Sequence, residues 1–335
     1  MFLLLLLDKD TKRESGMGSL TVPHIVPTPA EDANALKKAF HGWGTDEKTL
    51  IRILGHRNAN QRRNIRHTYF QLYNESLIDR LSSELSGDFG KAIILWAYDP
   101  CERDAKLARE ALENSKKSVE HLKIIVEMSC ASSPDHLVGV RQAYTCLFHC
   151  SLEEDIASNV SPSSLAKLLV AVVSSYRYEK DEVDSAIANL EASKLHEAIK
   201  TKQLDDDHVN WILSTRNFYQ LRETFACYKT TYGNLIAQDI LSCGNGKFES
   251  VLKVIICCLD SPEKHFAEVI RDSIVGFGTD EDSLSRAIVS RAEIDLMKVR
   301  EKYQNLYKTS LDDAVVGDTS GDYEDFLMTL LGARN

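Results

Sequence analysis

The chain has 335 residues, of which 43% are hydrophobic and 27% charged, and its formal net charge is −10. A chain of this length and composition can bury a sizeable hydrophobic core. The negative charge argues against a nucleic-acid partner, because a phosphate backbone rewards clustered Lys and Arg. It also opposes contact with an anionic membrane unless a cation bridges the two surfaces. No apolar run of the sequence is long enough to span a bilayer.

Residues 1–28 are predicted to form a tail ahead of the first folded unit. Residues 1–7 are apolar but lack the preceding basic segment and the small-residue cleavage site of a signal peptide. Met17 is an alternative start of the chain, in which case residues 1–16 are not part of the native protein. Residues 18–30 contain three prolines and are expected to be extended.

A glycine-rich segment occurs near each end of the chain. Residues 42–47 (GWGTDE) return 234 positions later as residues 276–281 (GFGTDE). In both copies the residue 42 positions after the first glycine is an acid, Glu84 or Asp318. The same shift places Tyr69 on Tyr303, so the two ends contain copies of one unit.

Two further copies lie between them. A shift of 159 residues places Arg57 on Arg216 and Tyr69 on Tyr228, and a shift of 75 places Tyr69 on Tyr144. The period exceeds the usual range of solenoid repeats, so each unit can be a small helical bundle. The four units are predicted to span residues 29–98, 99–173, 180–257 and 262–332.

Each unit is predicted to contain about five short helices, which makes the protein all-α. Four residues of the first unit share one helix face by their spacing, namely Ile65, Tyr69, Leu72 and Tyr73. Asn58 with Gln61 suits a helix start. Four prolines follow an N-cap type of residue and are expected at the first helical position, namely Pro100, Pro134, Pro162 and Pro262.

The two glycine segments are predicted to form divalent-cation sites with the distant acids. Glycine adopts positive φ freely, so such a turn can point several carbonyls inward, and calcium accepts carbonyl and carboxylate oxygens in irregular geometry. Thr45 and Thr279 are expected to cap the helices that follow. Each site has one carboxylate, Glu84 or Asp318. It should therefore be weak until another oxygen donor, such as a lipid phosphate, completes it.

An aromatic residue stands between the two glycines of each segment. Trp43 and Phe277 are expected to enter the headgroup region of a lipid bilayer, where burying such a ring contributes about a few kcal/mol. The alternative is that both rings pack against neighbouring loops.

Together, the four units, the loops and the acids resemble an annexin, and closely a plant annexin, over residues 29–332. The resemblance implies a slightly curved disc of four five-helix repeats. Its calcium loops dock peripherally and reversibly on anionic phospholipid, and the protein is cytoplasmic until calcium rises. In repeat 1 it implies calcium ligands from the carbonyls of Phe40, Gly42 and Gly44 with the Glu84 side chain. In repeat 4 it implies the carbonyls of Ile274, Gly276 and Gly278 with Asp318.

The second and third repeats depart from this pattern. The acid is replaced by Asn159 and Cys243, and the glycines by Lys117 and Val119 or by Thr201 and Gln203. No calcium site of this kind is expected in either repeat. Their loops carry the lysines of residues 116–117 and 200–202, which either contact lipid phosphate directly or are simply solvated.

Enzymatic activity is not expected, because the sequence has no zinc signature, catalytic-triad spacing or phosphate-binding loop. Residues 318–321 (DTSG) fit a loose motif of GTP-binding proteins, but they duplicate the carboxylate loop of the first repeat. His56 matches a position for which peroxidase activity has been suggested in plant annexins. A surface or capping histidine is the simpler interpretation.

A calcium-permeable channel is an alternative function that the resemblance implies. Asp104 and Arg286 match charged positions that line the central pore of annexins, although Ser132 replaces a charge that is usual in the second repeat. The alternative is that these residues belong to a buried polar network between the repeats. Actin is an alternative partner, for which the sequence offers no discriminating motif. The oligomeric state is not predicted.

The eight cysteines are too few for a disulfide framework in a chain of this size. Four of them lie in apolar segments and are expected to be buried, reduced thiols, namely Cys146, Cys227, Cys257 and Cys258. A redox-sensing role for Cys130 or Cys258 is the alternative.

Overall fold

The computed structural model describes residues 17–42, 44–114, 118–276 and 278–333. Within these ranges the chain forms twenty α-helices and no strand, which confirms the all-α prediction. None of the described helices is long and apolar enough to cross a membrane.

The helices follow one another in four groups of five, as predicted. Helices α1–α5 are Pro29–Ala39, Glu47–Leu54, Ala59–Tyr73, Leu77–Glu84 and Gly87–Ala97. Helices α6–α10 are Pro100–Glu113, Val119–Cys130, Pro134–Phe148, Leu152–Asn159 and Ser163–Val173. Helices α11–α15 are Ser185–Lys200, Asp207–Thr215, Phe218–Tyr232, Ile236–Cys243 and Lys247–Asp260. Helices α16–α20 are Pro262–Ile274, Glu281–Arg291, Leu296–Tyr307, Leu311–Asp318 and Gly321–Leu330. The limits given above for the repeats stay predictions.

The helices pack into two units, each with its own core. The first unit comprises the chain up to Pro100 and from Phe266 onward, so it contains the first and fourth groups. In it α1 packs on α3, and α5 packs on α17 and α20. The second unit, Cys101–His265, contains the second and third groups. Its principal contacts join α7 to α15 and α11 to α13.

Several of the predicted helix starts agree with the structure, whereas that at Pro162 does not. Asn58 and Gln61 form a reciprocal cap at the start of α3, with N–H···O distances of 2.8 and 2.9 Å. Proline begins α6, α8 and α16 as predicted. Pro162 does not, because its ψ of 169° is extended, and α10 begins one residue later at Ser163. Pro162 is thus the N-cap residue.

The apolar face predicted for α3 is only partly correct. Ile65 and Tyr69 are fully buried and Tyr73 is partly buried, but Leu72 is 50% exposed. At about 100° per residue, Ile65, Tyr69 and Tyr73 span one stripe of the helix, and Leu72 lies about 60° from its centre. Leu72 therefore faces solvent although its spacing looked suitable.

An arginine recurs at one position in three of the four repeats, buried in the first and fourth and partly exposed in the third. Arg57 donates to both oxygens of Asp32, at 2.7 and 2.9 Å, and Arg216 donates to Glu191 at 2.6 Å. In the fourth repeat Phe266 occupies the place of Asp32, and Arg291 instead pairs with Asp295 at 2.7 Å. The shared position supports the alignment of the repeats, and each pair satisfies a charge that would otherwise be costly to bury.

All eight cysteines lie in the described residues, and none of them forms a disulfide bond. Cys258 is buried as expected, but Cys227 and Cys257 are only partly buried and Cys146 is exposed, so the prediction was wrong for these three. Cys146 follows the buried Tyr144 by two residues in α8, which turns its side chain about 200° away from the core. Burial raises the pKa of the Cys130 thiol. A raised pKa disfavours the thiolate that redox sensing needs.

Candidate metal sites

The first glycine segment joins α1 to α2. Gly42 and Gly44 have φ values of 121° and 88°, which residues with a side chain rarely adopt. A Cβ atom at either position would meet no heavy atom within 4 Å. Glycine is therefore required here by the backbone conformation, and not by lack of space.

The second glycine segment, between α16 and α17, has the same form. Gly276 and Gly278 have φ values of 145° and 90° and are equally open around the Cβ position. The duplication seen in the sequence is thus a duplication of backbone shape. Trp43 and Phe277, the residues expected to contact lipid, lie outside the described residues.

The helices after the loops are capped by aspartates. Asp46 accepts a hydrogen bond from the Thr49 N–H at 3.0 Å, and Asp280 accepts one from the Ser283 N–H at 3.1 Å. The prediction that Thr45 and Thr279 cap these helices was wrong. The aspartates directly precede the first helical residues, and a carboxylate accepts more strongly than a hydroxyl. The hydrogen bonds from Thr49 hold the pKa of Asp46 below its usual value.

The threonines instead connect each loop to the helix that carries the acid. The Thr45 hydroxyl lies 3.5 Å from an oxygen of Glu84, the last residue of α4. The Thr279 hydroxyl donates to the backbone carbonyl of Asp318, the last residue of α19, at 3.2 Å. The structure therefore brings both acids, 42 residues from their glycines in the sequence, next to the loops.

Arg80 occupies the first of these sites. Its Nη2 donates to the carbonyl of Phe40 at 3.3 Å and forms an ion pair with Glu84 at 2.8 Å. The Phe40 carbonyl and the Glu84 carboxylate, which were both predicted to bind one calcium ion, are thus close enough together to contact the same nitrogen atom. Sequence reasoning missed Arg80, although its position four residues before Glu84 on α4 is the spacing of a helical ion pair.

The fourth-repeat site is more open. Ile274, the last residue of α16, is buried with only 6% exposure, whereas Asp318 is exposed. Ala314 stands at the position that corresponds to Arg80. In the part of the chain that the structure describes, Asp318 has no ion-pair partner within 4.0 Å.

The donor atoms of both sites suit a hard cation. Carbonyl and carboxylate oxygens are the ligands that calcium prefers, whereas zinc and iron favour nitrogen or sulfur. Among the described residues no three His, Cys, Asp or Glu side chains are grouped so that they could hold a metal. Only a carbonyl-rich site, with one carboxylate, fits these loops.

The third repeat shows what replaces the site when the acid is lost. Cys243, at the position of Glu84, donates its thiol to the carbonyl of Ile199 at 3.3 Å. Ile199 corresponds to Phe40, so the thiol closes on the carbonyl that a cation would need. In the second repeat Asn159 bonds its own helix at Asp155. Lys116 and Lys117 lie outside the described residues, whereas Lys200 and Lys202 are exposed.

The residues linked to the alternative activities have structural partners. His56 is partly exposed, and its Nδ1 lies 2.8 Å from the carbonyl of Thr21 in the N-terminal segment. Asp104 is buried between Arg103 and His136, both at 2.7 Å. Burial acts to raise the pKa of Asp104, but the charge of Arg103 and the hydrogen bond from His136 outweigh it and hold that pKa low. Burial acts to lower the pKa of His136, but the bond to Asp104 raises it to about 10.

Comparison with known proteins shows the family of the chain. The annexin family model matches residues 31–96, 191–255 and 265–330. Annexin D3 of Arabidopsis thaliana is 59% identical over 321 residues, which cover 95% of this chain and 100% of that protein. Annexin III has a TM-score of 0.88 at 32% identity and covers 96% of this chain and 99% of its own. Calcium-bound annexin (Sm)1 has a TM-score of 0.80 at 25% identity over 94% of this chain and 93% of its own.

The chain therefore belongs to the annexin family, and within it to the plant annexins. Annexins are calcium-dependent phospholipid-binding proteins and in general are not enzymes. The twenty helices in four groups are the four-repeat fold of the family.

Proposed function

We propose that this protein binds anionic phospholipid membranes peripherally and reversibly through calcium sites in repeats 1 and 4. The supporting observation is the duplicated pairing of a two-glycine, positive-φ loop with an acid at the end of the fourth helix. The loop threonine lies 3.5 Å from Glu84 in one copy and 3.2 Å from Asp318 in the other.

Calcium would be held by backbone carbonyls and one carboxylate in each site. The ligands are Phe40, Gly42, Gly44 and Glu84 in repeat 1, and Ile274, Gly276, Gly278 and Asp318 in repeat 4. The cation supplies a positive charge with open coordination positions, which lipid phosphate oxygens can fill. The similarity of the fold to that of calcium-bound annexin (Sm)1 supports this choice of cation.

Electrostatics explains why the cation is required. The chain carries a formal charge of −10 and is repelled by an anionic bilayer. A divalent ion beside a single carboxylate leaves a net positive site that attracts phosphate. Lowering calcium removes this bridge, so we expect release into the cytoplasm, and Trp43 and Phe277 are the proposed membrane contacts.

The other activities have less support. In the described residues His56 bonds the N-terminal segment, and Asp104 is engaged with Arg103 and His136. No observation on the described part of the chain favours peroxidase, nucleotide-hydrolase or channel activity, or actin binding. We therefore propose a non-enzymatic role.

The test is cosedimentation with phosphatidylserine vesicles over a range of calcium concentrations. We expect the unaltered protein to bind only with calcium, and the double variant Glu84→Gln, Asp318→Asn to need far more calcium. The matched control is Asp79→Asn, Asp313→Asn, which removes the same charge from exposed positions of α4 and α19 outside the sites. Equal binding by all three proteins would contradict the proposal.

A further inference from the structure

We propose that Arg80 is a built-in competitor for calcium at the repeat 1 site. Without calcium its guanidinium occupies the Phe40 carbonyl and the Glu84 carboxylate, so a cation must displace it to bind. Repeat 4 lacks this competitor, and its site fills first as calcium rises. This inference rests on the proposed function and concerns the regulation of the same sites.

Direct contact with two predicted ligands is the first argument. Nη2 of Arg80 lies 3.3 Å from the Phe40 carbonyl and 2.8 Å from Glu84. A guanidinium and a calcium ion seek the same oxygens, and neither binds well while the other is present. Because one nitrogen reaches both groups, its displacement releases both at once.

The support around Arg80 is the second argument. Its Nη1 lies 3.8 Å from Glu75, which in turn binds Lys37 at 2.8 Å. Its guanidinium also lies 5.6 Å from the centre of the Phe40 ring. The side chain is only 26% exposed, so the pair with Glu84 is screened less than a fully exposed ion pair.

Comparison of the four repeats is the third argument. The positions that correspond to Arg80 are Asp155, Asp239 and Ala314, so only repeat 1 places a cation there. In the second and third repeats the aspartate accepts a hydrogen bond from the repeat's buried tyrosine. In repeat 1 the corresponding tyrosine, Tyr69, bonds Glu75 instead, at 3.2 Å. Arg80 therefore stands where the second and third repeats have the acceptor of the tyrosine's hydrogen bond, and its Nη2 donates to the Phe40 carbonyl of the loop.

Arg80 has a buried hydrogen-bond donor that is not satisfied in this position. Its Nε is buried and has no hydrogen-bond partner in the described part of the chain. A buried donor without a partner is unfavourable, so the calcium-free position of Arg80 is not an optimum of packing. This makes displacement by a divalent ion feasible.

The experiment tests each of the two proposed calcium sites separately. Asp318→Asn leaves the repeat 1 site, and Glu84→Gln leaves the repeat 4 site. In the Asp318→Asn protein, Arg80→Met removes the competitor and keeps an unbranched side chain with good helix propensity. Lys38→Met is the matched control, because it removes one positive charge from an exposed position in the last turn of α1 and leaves Glu75 and Glu84 unaltered.

Two quantities are measured for each variant. One is the calcium concentration for half-maximal binding to phosphatidylserine vesicles, and the other is the rise in Tm that calcium causes without lipid. We expect Arg80→Met to lower the half-maximal calcium concentration about tenfold, as loss of charged hydrogen bonds to two ligands implies. Lys38→Met should change it by less than about twofold. In the Glu84→Gln protein, Ala314→Arg should raise it about tenfold.

The outcomes separate this inference from the proposed function. Equal shifts for Arg80→Met and Lys38→Met, or no shift for either, would overturn the role of Arg80 and leave calcium-dependent binding intact. Vesicle binding that is undiminished in both single-site proteins would instead contradict the proposed sites. If Arg80→Met has a low Tm in EGTA, Arg80→Gln replaces it and is judged by the same two quantities.

Discussion

The thiol of Cys243 donates to the carbonyl of Ile199 at 3.3 Å, and these two residues occupy the places of Glu84 and Phe40 in repeat 1. The fourth helix therefore ends beside the loop even in a repeat without the acid. The repeat fold itself thus brings these two positions close together. We infer that the residues which occupy them decide whether a cation can bind.

An acid alone should not restore the third site. Thr201 stands in place of Gly42, and its φ of −87° differs from the 121° of Gly42. The backbone carbonyls at the two positions are therefore expected to point in different directions. We expect Cys243→Glu to leave the calcium stoichiometry unchanged, and the triple variant Thr201→Gly, Gln203→Gly, Cys243→Glu to increase it. Isothermal titration with calcium checks this, and a gain from Cys243→Glu alone would show that the glycines are dispensable.

A side chain at Gly42 should weaken the first site. Its φ of 121° costs an L residue about 1–2 kcal/mol, so Gly42→Ala should reduce calcium affinity about tenfold. Gly317, inside α19, is the control, because its Cβ would also meet no atom within 4 Å but its backbone is helical. Gly317→Ala should stabilise the fold by about 0.5–1 kcal/mol. Calcium titration and urea unfolding give the two results.

The buried pair of Arg57 and Asp32 should be important for stability. Asp32→Asn leaves Arg57 buried without its counter-charge, and we expect a loss of about 3 kcal/mol in the free energy of unfolding. Lys91→Met breaks the contact with Asp282, whose side chain is 74% exposed, and should cost less than about 1 kcal/mol. Urea unfolding compares the two variants. Similar losses would mean that burial does not strengthen the pair.

The pair of His136 and Asp104 should make stability depend on pH. The pKa of His136 is about 10 in the folded protein and 6.5 when unfolded, so its contribution is complete below pH 6.5 and lost as pH rises toward 10. We expect His136→Gln to cost about 3 kcal/mol at pH 6, and less at each higher pH. Denaturant unfolding of both proteins from pH 6 to pH 10 checks the trend, and a constant difference would contradict it.

The sequence determined the repeat, the helical class and the acids. A shift of 234 residues aligned both the glycines and the carboxylates, and such periodic information depends only on the order of residues along the chain. Helix starts such as that at Asn58 and Gln61 could also be predicted from the sequence, because a cap involves only residues within about one turn of each other. Thr45 was misassigned because the competing cap, Asp46, was its direct neighbour and both residues are good N-caps.

Tertiary structure alone decided which groups meet across the repeat. The contact of Arg80 with the Phe40 carbonyl joins residues 40 positions apart. The spacing within α4 indicates the ion pair of Arg80 with Glu84 but not its contact with that carbonyl. The exposure of Leu72 and Cys146 was also decided there, because a helical pattern gives the angle between residues but not the direction of the core. Packing of helices fixes that direction, and with it the donors that face each loop.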